Sequence, residues 1–474
     1  MNNNNNNIKT QVVVIGSGPG GYTAAFRAAD LGMEVLLIDK DINLGGVCLN
    51  RGCIPSKAYL HLSHIIENSN KAKEFGVYFN NPTIDIDKIY NWKNSIIKNL
   101  SDGIALLAKQ RKIEIINGLA TFLSANRLSV KDNQNKQITI KFNYCIVATG
   151  SSPSKINFLK KKHPKIINST QALSLKEIPK KMLVIGGGYI GLELGTAFAS
   201  FGSQITVAEF SSNLLPMADQ DLVQPLFENL QKRFKNIFLS TEVVDLNNKQ
   251  NKVEVTFKKK EKLFKDIFDI VLVAIGRRPN TKLLNLDKAG IKVNDKGFIP
   301  VNEKRRTITP NIYAIGDING NPMLAHKATH EAKVAAENIS GLNSIFKPIS
   351  IPSVIYTNPE IAWVGYTESE LKNNKIEYNK AIFPWSASGR AMTTGDTSGK
   401  TKILTSKNNS KILGIGICGS NAGELIAEAM LAIEMGANPE DISLTIHPHP
   451  TLSETIANAS EILMKTITDL YIKN

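Results

Sequence analysis

Two of the chain's four cysteines, Cys48 and Cys53, have the types and spacing for thiol chemistry, because they lie five positions apart between glycines. Five residues of regular α-helix rise roughly 7.5 Å, more than the Cα–Cα distance of about 4.4–6.8 Å in most disulfides. A bond between these thiols would need a distorted backbone, which Gly45, Gly46 and Gly52 permit. A bridge over so short a loop restricts an unfolded chain little, so the spacing favours a redox pair. Two buried thiols that never meet are the alternative.

A glycine-rich turn near the N-terminus predicts a dinucleotide site. An apolar run at residues 11–15 predicts a buried parallel strand, followed by the turn, an Ala-rich helical stretch and a second apolar run. In such a βαβ unit Gly16 makes the turn, Gly18 lets backbone approach a pyrophosphate, and Gly21 lets the helix pack on the strand. Asp39, 18 residues beyond Gly21, is placed to accept a hydrogen bond from a ribose hydroxyl.

The same pattern returns later in the chain. Gly186, Gly188 and Gly191 follow a second apolar run, and Glu209 again stands 18 residues after the third glycine. A carboxylate at this position favours NAD and repels the 2′-phosphate of NADP, and no Arg follows closely to receive a phosphate. Two dinucleotide sites around one thiol pair predict two cofactors with a hydride and thiol relay between them.

A histidine and a glutamate near the C-terminus form the last candidate pair. His449 precedes Glu454 by five residues at the expected start of a helix. An imidazole held by a carboxylate is suited to general base catalysis. A helix start capped by Thr451 or Ser453 is the alternative. His447 is expected to be structural.

Composition limits the class of protein. A chain of 474 residues with 42% hydrophobic and 21% charged residues should form two to four packed domains. The net charge of +15 suggests nucleic acid or an anionic membrane, but the basic residues are scattered, so neither partner is predicted. Four cysteines in a chain of this length do not form the disulfide framework of a secreted protein. Met1 and the Asn run after it have neither the basic nor the apolar region of a signal peptide. We therefore expect a cytoplasmic protein. His326 and His330 lack a third ligand in the sequence, so no metal is predicted.

The segment Gly-Gly-Val-Cys-Leu-Asn-Arg-Gly-Cys-Ile-Pro-Ser-Lys at residues 45–57 resembles the active-site disulfide of the pyridine nucleotide-disulfide oxidoreductases. Its form is most similar to the dihydrolipoamide dehydrogenase branch. The resemblance extends over residues 8–474 and implies an α/β fold with two Rossmann-like domains and a C-terminal α+β dimerisation domain. The implied divisions are a disordered Asn-rich leader (1–7), the first part of the FAD domain (8–152), an NAD domain (153–275), the second part of the FAD and central domain (276–350) and the dimerisation domain (351–474).

The resemblance also implies which residues bind the cofactors. Those expected to contact FAD are Gly16, Gly18, Gly21, Asp39, Lys57, Ala120, Asp317 and Ala325. Those expected to contact NAD are Gly186, Gly188, Gly191, Glu193, Glu209, Val243 and Gly276. Lys57 is expected to pair with Glu193 beside the flavin.

The implied reaction is the oxidation of dihydrolipoyl groups with reduction of NAD. Cys48 would exchange with the substrate thiols, and Cys53 would face the flavin. His449, oriented by Glu454, would remove the proton of a substrate thiol at the disulfide of the other subunit in a homodimer. The implied partner is the lipoyl-bearing acyltransferase component of a 2-oxoacid dehydrogenase complex, or the lipoyl protein of a glycine-cleavage system. An NADPH-dependent reductase similar to glutathione reductase is the alternative.

Two residues depart from the pattern of that branch. Arg51 stands where a small apolar residue such as Val is expected, and a cation there should favour a thiolate. Tyr189 matches the glutathione reductase branch, in which a Tyr closes over the flavin. The remaining cysteines, Cys145 and Cys418, lie in apolar runs and are expected to be core thiols.

Overall fold

A computed structural model describes residues 7–156 and 163–472 of the chain. The Asn-rich leader expected at residues 1–7 lies outside the described residues except for its last member. Asn7 begins the first strand and pairs with Thr139, so the expectation that it belongs to a disordered leader is wrong. The paired strand extends further towards the N-terminus than the apolar run alone indicates.

The first part of the chain builds most of a sheet in which β1 pairs in parallel with both β2 and β5. β4 pairs antiparallel with β3 and β5. β2 is buried along its whole length, which explains its continuously apolar sequence. The elements are β1 (Asn7–Ile15), α1 (Pro19–Asp30), β2 (Val35–Asp39), α2 (Gly46–Arg51), α3 (Cys53–Lys71), α4 (Ile86–Gln110), β3 (Glu114–Ser124), β4 (Arg127–Asp132), β5 (Gln137–Val147) and β6 (Ser151–Pro153).

The middle of the chain forms a second parallel sheet in the order β10-β9-β8-β14-β7. A three-stranded antiparallel sheet, β11 to β13, shares a hydrophobic core with it. The elements are β7 (Ile166–Asn168), α5 (Ser169–Ala172), β8 (Lys181–Ile185), α6 (Tyr189–Ser200), β9 (Gln204–Ala208), α7 (Gln220–Arg233), β10 (Asn236–Phe238), β11 (Thr241–Lys249), β12 (Lys252–Lys259), β13 (Lys262–Phe268) and β14 (Ile270–Val273).

The chain then returns to the first sheet. β15 (Arg277–Pro279) pairs antiparallel with β6, so the outgoing and returning segments run side by side between the first and second sheets. β16 (Ile312–Ala314) pairs with β5 and completes the first sheet. α8 (Ala325–Ile339) follows and packs against α1.

The last part of the chain is an antiparallel sheet in the order β17-β18-β21-β20-β19 with helices packed against it. None of the helices in the described part of the chain is long and apolar enough to cross a membrane. The elements are β17 (Ser353–Ile355), β18 (Glu360–Gly365), α9 (Glu368–Asn373), β19 (Tyr378–Pro384), α10 (Gly389–Thr394), β20 (Lys400–Ser406), β21 (Ile412–Gly419), α11 (Ala422–Met435), α12 (Pro439–Leu444) and α13 (Glu454–Met464).

Candidate active site

The two candidate redox cysteines lie on either side of a break between helices. Cys48 lies within α2, which ends at Arg51, and Cys53 is the first residue of α3. Gly52 separates the two helices, and a Cβ there would lie 2.9 Å from the carbonyl oxygen of Val47. The backbone distortion predicted from the spacing is therefore present, because no regular helix connects the two cysteines.

Cys48 and Cys53 lie within hydrogen-bond distance of each other, and both are free thiols in the structure. The hydrogen bond between the two sulfurs, followed by burial, raises the pKa of Cys48. The same hydrogen bond lowers the pKa of Cys53 to about 7, with burial opposing and the charge of Lys57 adding to the effect. When the pair loses a proton, the negative charge therefore lies on Cys53 and the remaining proton on Cys48.

The expectation that Arg51 promotes a thiolate is wrong. Its guanidinium forms an ion pair with Asp41 in the loop after β2. The charges with the largest effects on the pKa of the two thiols include those of Lys57 and Glu193, and that of Arg51 is not among them. The cation of Arg51 is instead paired with the carboxylate of Asp41.

Lys57 and Glu193 connect the thiol helix to α6. Lys57 Nζ lies 2.7 Å from Glu193 Oε2, and Glu193 is 3% exposed. The other carboxylate oxygen of Glu193 accepts a hydrogen bond from the Tyr356 N–H at 3.1 Å, and Lys57 Nζ lies 4.5 Å from the centre of the Tyr356 ring. Burial lowers the pKa of Lys57, but the charge of Glu193 and its hydrogen bond outweigh burial and raise it. The predicted pairing is present.

A cavity of about 810 Å³ lies beside the two thiols, and both line it. It passes between the first and second sheets, because its wall includes the glycine turn of β1 and the start of α6. Gly21 packs against Gly16 and does not itself line the cavity. The residues predicted to bind FAD that line this cavity are Gly16, Gly18, Asp39, Lys57, Ala120, Asp317 and Ala325.

The two glycine turns have the same geometry. Gly16 and Gly186 have φ of +104° and +105°, a left-handed conformation that favours glycine. A Cβ at Gly21 would lie 1.7 Å from the carbonyl oxygen of Gly16, and one at Gly191 would lie 2.4 Å from that of Gly186. Each third glycine is therefore needed for close packing of helix on turn, as the sequence predicts.

The second glycine of each turn faces open space. A Cβ at Gly18 would come no closer than 4.0 Å to another described residue, and one at Gly188 would meet nothing within 4 Å among them. Each precedes the first turn of a helix, α1 or α6, where backbone N–H groups favour a phosphate. Both turns therefore have room for a pyrophosphate.

Asp39 and Glu209 make matching contacts at the two turns. Asp39 Oδ2 accepts a hydrogen bond from the Ser17 N–H at 2.5 Å, and Glu209 Oε2 accepts one from the Gly187 N–H at 2.5 Å. The other oxygen of each acid accepts from the backbone N–H two residues further on, at 2.9 Å and 2.6 Å. Both carboxylates are thus fixed beside a phosphate turn, where the ribose of a bound dinucleotide would lie.

Asp317 and Ala325 lie on the cavity wall near the end of β16. Asp317 accepts a hydrogen bond from the Ser151 hydroxyl, and its Oδ2 lies 3.9 Å from Arg277 Nε. Arg277 donates to the Ser151 hydroxyl at 2.7 Å and to the Ser151 carbonyl at 2.8 Å. The sequence prediction missed Ser151 and Arg277, although each directly follows a glycine turn at which a strand ends.

Two further residues predicted for NAD, Val243 and Gly276, do not line this cavity. Val243 is 7% exposed and packs in the core beneath the second sheet, so its side chain is not available to a nucleotide. Gly276 lies between β14 and β15 with φ of +104°. Of the NAD region, Glu193 and Tyr189 line the cavity, and burial raises the pKa of Tyr189.

His449 and Glu454 are paired at the start of α13. His449 Nδ1 lies 2.8 Å from Glu454 Oε1, and Glu454 Oε2 accepts a hydrogen bond from the Thr451 N–H at 2.6 Å. Ser453 precedes α13 without a side-chain capping hydrogen bond. The His449 side chain is 78% exposed and does not line the cavity that contains the thiols. Within one chain His449 and Glu454 therefore form a pair, but that pair does not lie on the wall of the cavity that contains the cysteines.

Three other candidates are structural, as predicted. His447 Nε2 lies 2.7 Å from Glu428, and its side chain is 8% exposed. Cys145 and Cys418 are fully buried, and burial raises the pKa of both thiols. Neither thiol is accessible to a substrate.

Comparison with known families decides between the possible classes. Residues 10–332 match the family described as pyridine nucleotide-disulphide oxidoreductase, and residues 351–460 match the dimerisation domain of that family. The chain belongs to the pyridine nucleotide-disulphide oxidoreductase family.

Full-length relatives refine the comparison. The chain is 50% identical to the dihydrolipoyl dehydrogenase of Buchnera aphidicola subsp. Schizaphis graminum, over 98% of this chain and 97% of the relative. It is 48% identical to that of Haemophilus influenzae over the same shares of the two chains. Among solved structures, the flavoprotein disulfide reductase RclA of Escherichia coli superposes with a TM-score of 0.85 at 26% identity, over 96% of this chain and 99% of the other. LpdA of Mycobacterium tuberculosis shares the fold, with a TM-score of 0.89 at 24% identity over 96% and 100%.

Membership of the pyridine nucleotide-disulphide oxidoreductases confirms the predicted α/β fold with a C-terminal dimerisation domain. The chain is an enzyme, a flavoprotein disulfide oxidoreductase whose cofactors are FAD and NAD, and its dimerisation domain supports a homodimer. The residues fit these cofactors, since two glycine turns with open space at Gly18 and Gly188 each have an acid fixed beside them.

Proposed function

We propose that this enzyme is a dihydrolipoyl dehydrogenase, which oxidises protein-bound dihydrolipoyl groups to their disulfide and reduces NAD. The observation that carries the proposal is that both thiols line the same cavity as the first glycine turn, while the carboxylate of Glu209 is fixed beside the second turn, where it favours NAD. The pKa of Cys53 is lowered to about 7, whereas that of Cys48 is raised. In thiol–disulfide exchange the thiol of lower pKa is the better leaving group. Attack on a Cys48–Cys53 disulfide is therefore directed to Cys48.

The exchange then follows from these pKa values. A base removes a proton from one substrate thiol, and the resulting thiolate attacks the Cys48 sulfur while Cys53 leaves as a thiolate. The second substrate thiol then attacks the substrate sulfur of the mixed disulfide, and its proton passes to Cys48, which departs as a thiol. The substrate leaves as a disulfide, and its two electrons remain on the cysteine pair. When bound, FAD and NAD supply the hydride transfer that accepts these electrons.

The base is proposed to be the partner subunit's His449. The support is that His449 in this chain is oriented by Glu454, is exposed and does not line its own thiol cavity. An imidazole can take the proton of a substrate thiol near neutral pH, and because the pKa of Cys48 is raised, Cys48 departs more readily as a thiol than as a thiolate. The active unit of this proposal is a dimer with a site shared between subunits.

The proposed substrate is a lipoyl group carried by another protein, either the acyltransferase component of a 2-oxoacid dehydrogenase complex or the lipoyl protein of a glycine-cleavage system. The support is the name of the full-length relatives. A cytoplasmic location belongs to the same proposal, since the chain has four cysteines in 474 residues and no secreted disulfide framework.

The experiment is to supply a lipoylated domain in its reduced form and to follow NADH formation. We expect turnover by the wild-type enzyme and none by Cys48→Ala, which should still purify with its yellow flavin. A colourless Cys48→Ala protein, or one that still turns over, would contradict the role of Cys48.

An NADPH-dependent disulfide reductase of the glutathione reductase kind is the second candidate. The observation that favours it is Tyr189, which lines the cavity at the start of α6. The fixed carboxylate of Glu209 opposes it, because a negative charge there repels the 2′-phosphate of NADP.

A further inference from the structure

The ion pair between Arg51 and Asp41 lies between two cavities. The larger one, about 810 Å³, has the first glycine turn and Asp39 on its wall. The smaller one, about 360 Å³, is lined by Lys40, Asp41, Ile42, Asn43, Asn50, Arg51 and Asn133. Lys40, Asp41 and Arg51 line both. The ion pair is therefore part of the partition between the cofactor cavity and the smaller cavity.

Asp41 is coupled directly to the acid predicted to hold the ribose. Its N–H donates to Asp39 Oδ1 at 2.9 Å, and its carbonyl accepts a hydrogen bond from Asn117 Nδ2 at 2.9 Å. Arg51 holds the Asp41 side chain from α2, and the side chains of Arg51 and Asp41 are 32% and 29% exposed. A displacement of Asp41 would therefore move the backbone that Asp39 contacts.

The residue before Arg51 strengthens the same connection. Asn50 Nδ2 lies within hydrogen-bond distance of the carbonyl oxygens of Asn43, Leu44 and Gly46, at 3.3, 3.1 and 3.1 Å. The end of α2 thus holds the start of the 40–45 loop through Arg51 and its end through Asn50.

We propose that the Arg51–Asp41 pair is a clasp that retains the ADP half of bound FAD by holding the 40–45 loop closed against α2. The inference rests on the FAD part of the proposed function. When the pair opens, the smaller cavity joins the larger one and the adenosine end of the cofactor has a route to solvent. Arg51 stands where the resemblance leads one to expect a small apolar residue, which could not form this ion pair.

The test is the rate at which bound FAD exchanges with an excess of isotope-labelled FAD in the holoenzyme, separated by gel filtration. Arg51→Val restores the expected residue, and Asp41→Asn removes the charge while keeping the backbone contacts of Asp41. We expect each variant to exchange FAD about two- to fivefold faster, the range that a partly exposed ion pair supports. The double variant should be no faster than either single variant, because both remove the same interaction.

The matched control is Lys181→Met. The Lys181–Asp266 pair has side chains 32% and 31% exposed, close to those of the clasp, and neither residue lines the cavity. This variant should exchange FAD at the wild-type rate. Rising salt should accelerate exchange in the wild type more than in Arg51→Val.

Wild-type exchange rates in Arg51→Val would overturn the proposal. Slower exchange in Asp41→Asn would also overturn it, because Asp41 would then compete with the cofactor for Arg51. FAD exchange is measured without dithiol or NAD. An enzyme that does not oxidise lipoyl groups would therefore still give an interpretable exchange rate, and a failure of the clasp proposal can be distinguished from a failure of the proposed function.

Discussion

Lys57 Nζ lies 2.7 Å from the buried carboxylate of Glu193, and on α3 Lys57 is one helical turn from Cys53. The two charges act on the Cys53 thiol with opposite signs. Lys57 lowers its pKa and Glu193 raises it. The ion pair that joins α3 to α6 therefore also adjusts the acidity of the thiol that faces the cofactor cavity.

Neutralising the two members of this pair should shift the Cys53 pKa in opposite directions. In the reduced enzyme, Lys57→Met should raise it and Glu193→Gln should lower it, because each variant removes one of the opposing charges. The pH dependence of alkylation by iodoacetamide, read at Cys53 by mass spectrometry, measures both shifts. Shifts of the same sign would contradict the assignment.

Glu209 should determine nucleotide choice, and Asp39 provides the matched comparison in the other glycine turn. Because Glu209 is fixed beside the second turn, Glu209→Ala should reduce the preference for NAD over NADP, measured as the ratio of kcat/KM values, by removing the repulsion of the 2′-phosphate. Asp39→Ala should instead weaken FAD retention and leave that ratio unchanged. An unchanged ratio in Glu209→Ala would remove the role given to this acid.

A buried ionic cluster joins α7 to the C-terminal sheet and should stabilise the fold. Lys402 is 1% exposed, and its Nζ lies 2.6, 2.7 and 3.0 Å from carboxylates of Asp219, Asp221 and Glu368. Lys402→Met leaves three carboxylates without their shared cation, which should cost about 3–5 kcal/mol in the free energy of unfolding. Lys380, whose Nζ lies 3.3 Å from Glu368 and whose side chain is 41% exposed, is the control. Lys380→Met should cost no more than about 1 kcal/mol.

The same cluster predicts a pH dependence of stability. Burial raises the pKa of Glu368, but hydrogen bonds from Lys402 and Tyr378 outweigh it and lower the pKa to about 2. A carboxyl whose pKa is lower in the folded state contributes stability that is present above its unfolded pKa of about 4.3 and is lost as pH falls toward 2. Tm should therefore fall over this range, and it should fall less in Lys402→Met. An equal fall of Tm in the wild type and in Lys402→Met would mean that groups outside this cluster cause the acid sensitivity.

A shared active site should allow two inactive variants to restore each other. Cys48→Ser and His449→Gln should each lack dithiol turnover as homodimers. When the two chains are co-expressed and the mixed dimer is purified with two affinity tags, one site contains an intact Cys48 and an intact partner subunit's His449. That dimer should show about half the wild-type activity per dimer. An inactive mixed dimer would mean that both residues act within one chain.

The sequence predicted local geometry well because local spacing determines it. The glycine turns, their acids and the His449–Glu454 pair each lie within one short segment, where chain connectivity alone limits the geometry. The Lys57–Glu193 contact joins positions 136 apart and was expected only through the family resemblance.

The partners of charged side chains were harder to predict from the sequence. The effect of Arg51 was misjudged because its partner, Asp41, lies on a separate loop and no periodicity connects the two. Lys402 and its three carboxylates were missed for the same reason. They come from the start of α7, from α9 and from β20, and no local sequence pattern connects these segments.

The most direct test of the account compares two steady-state reactions of the purified yellow enzyme. One supplies dihydrolipoamide with NAD, and the other supplies glutathione disulfide with NADPH. We expect rapid NADH formation in the first reaction and no NADPH oxidation in the second. Turnover of glutathione disulfide with NADPH, and none of dihydrolipoamide with NAD, would contradict it and make Tyr189 rather than Glu209 the better guide to function.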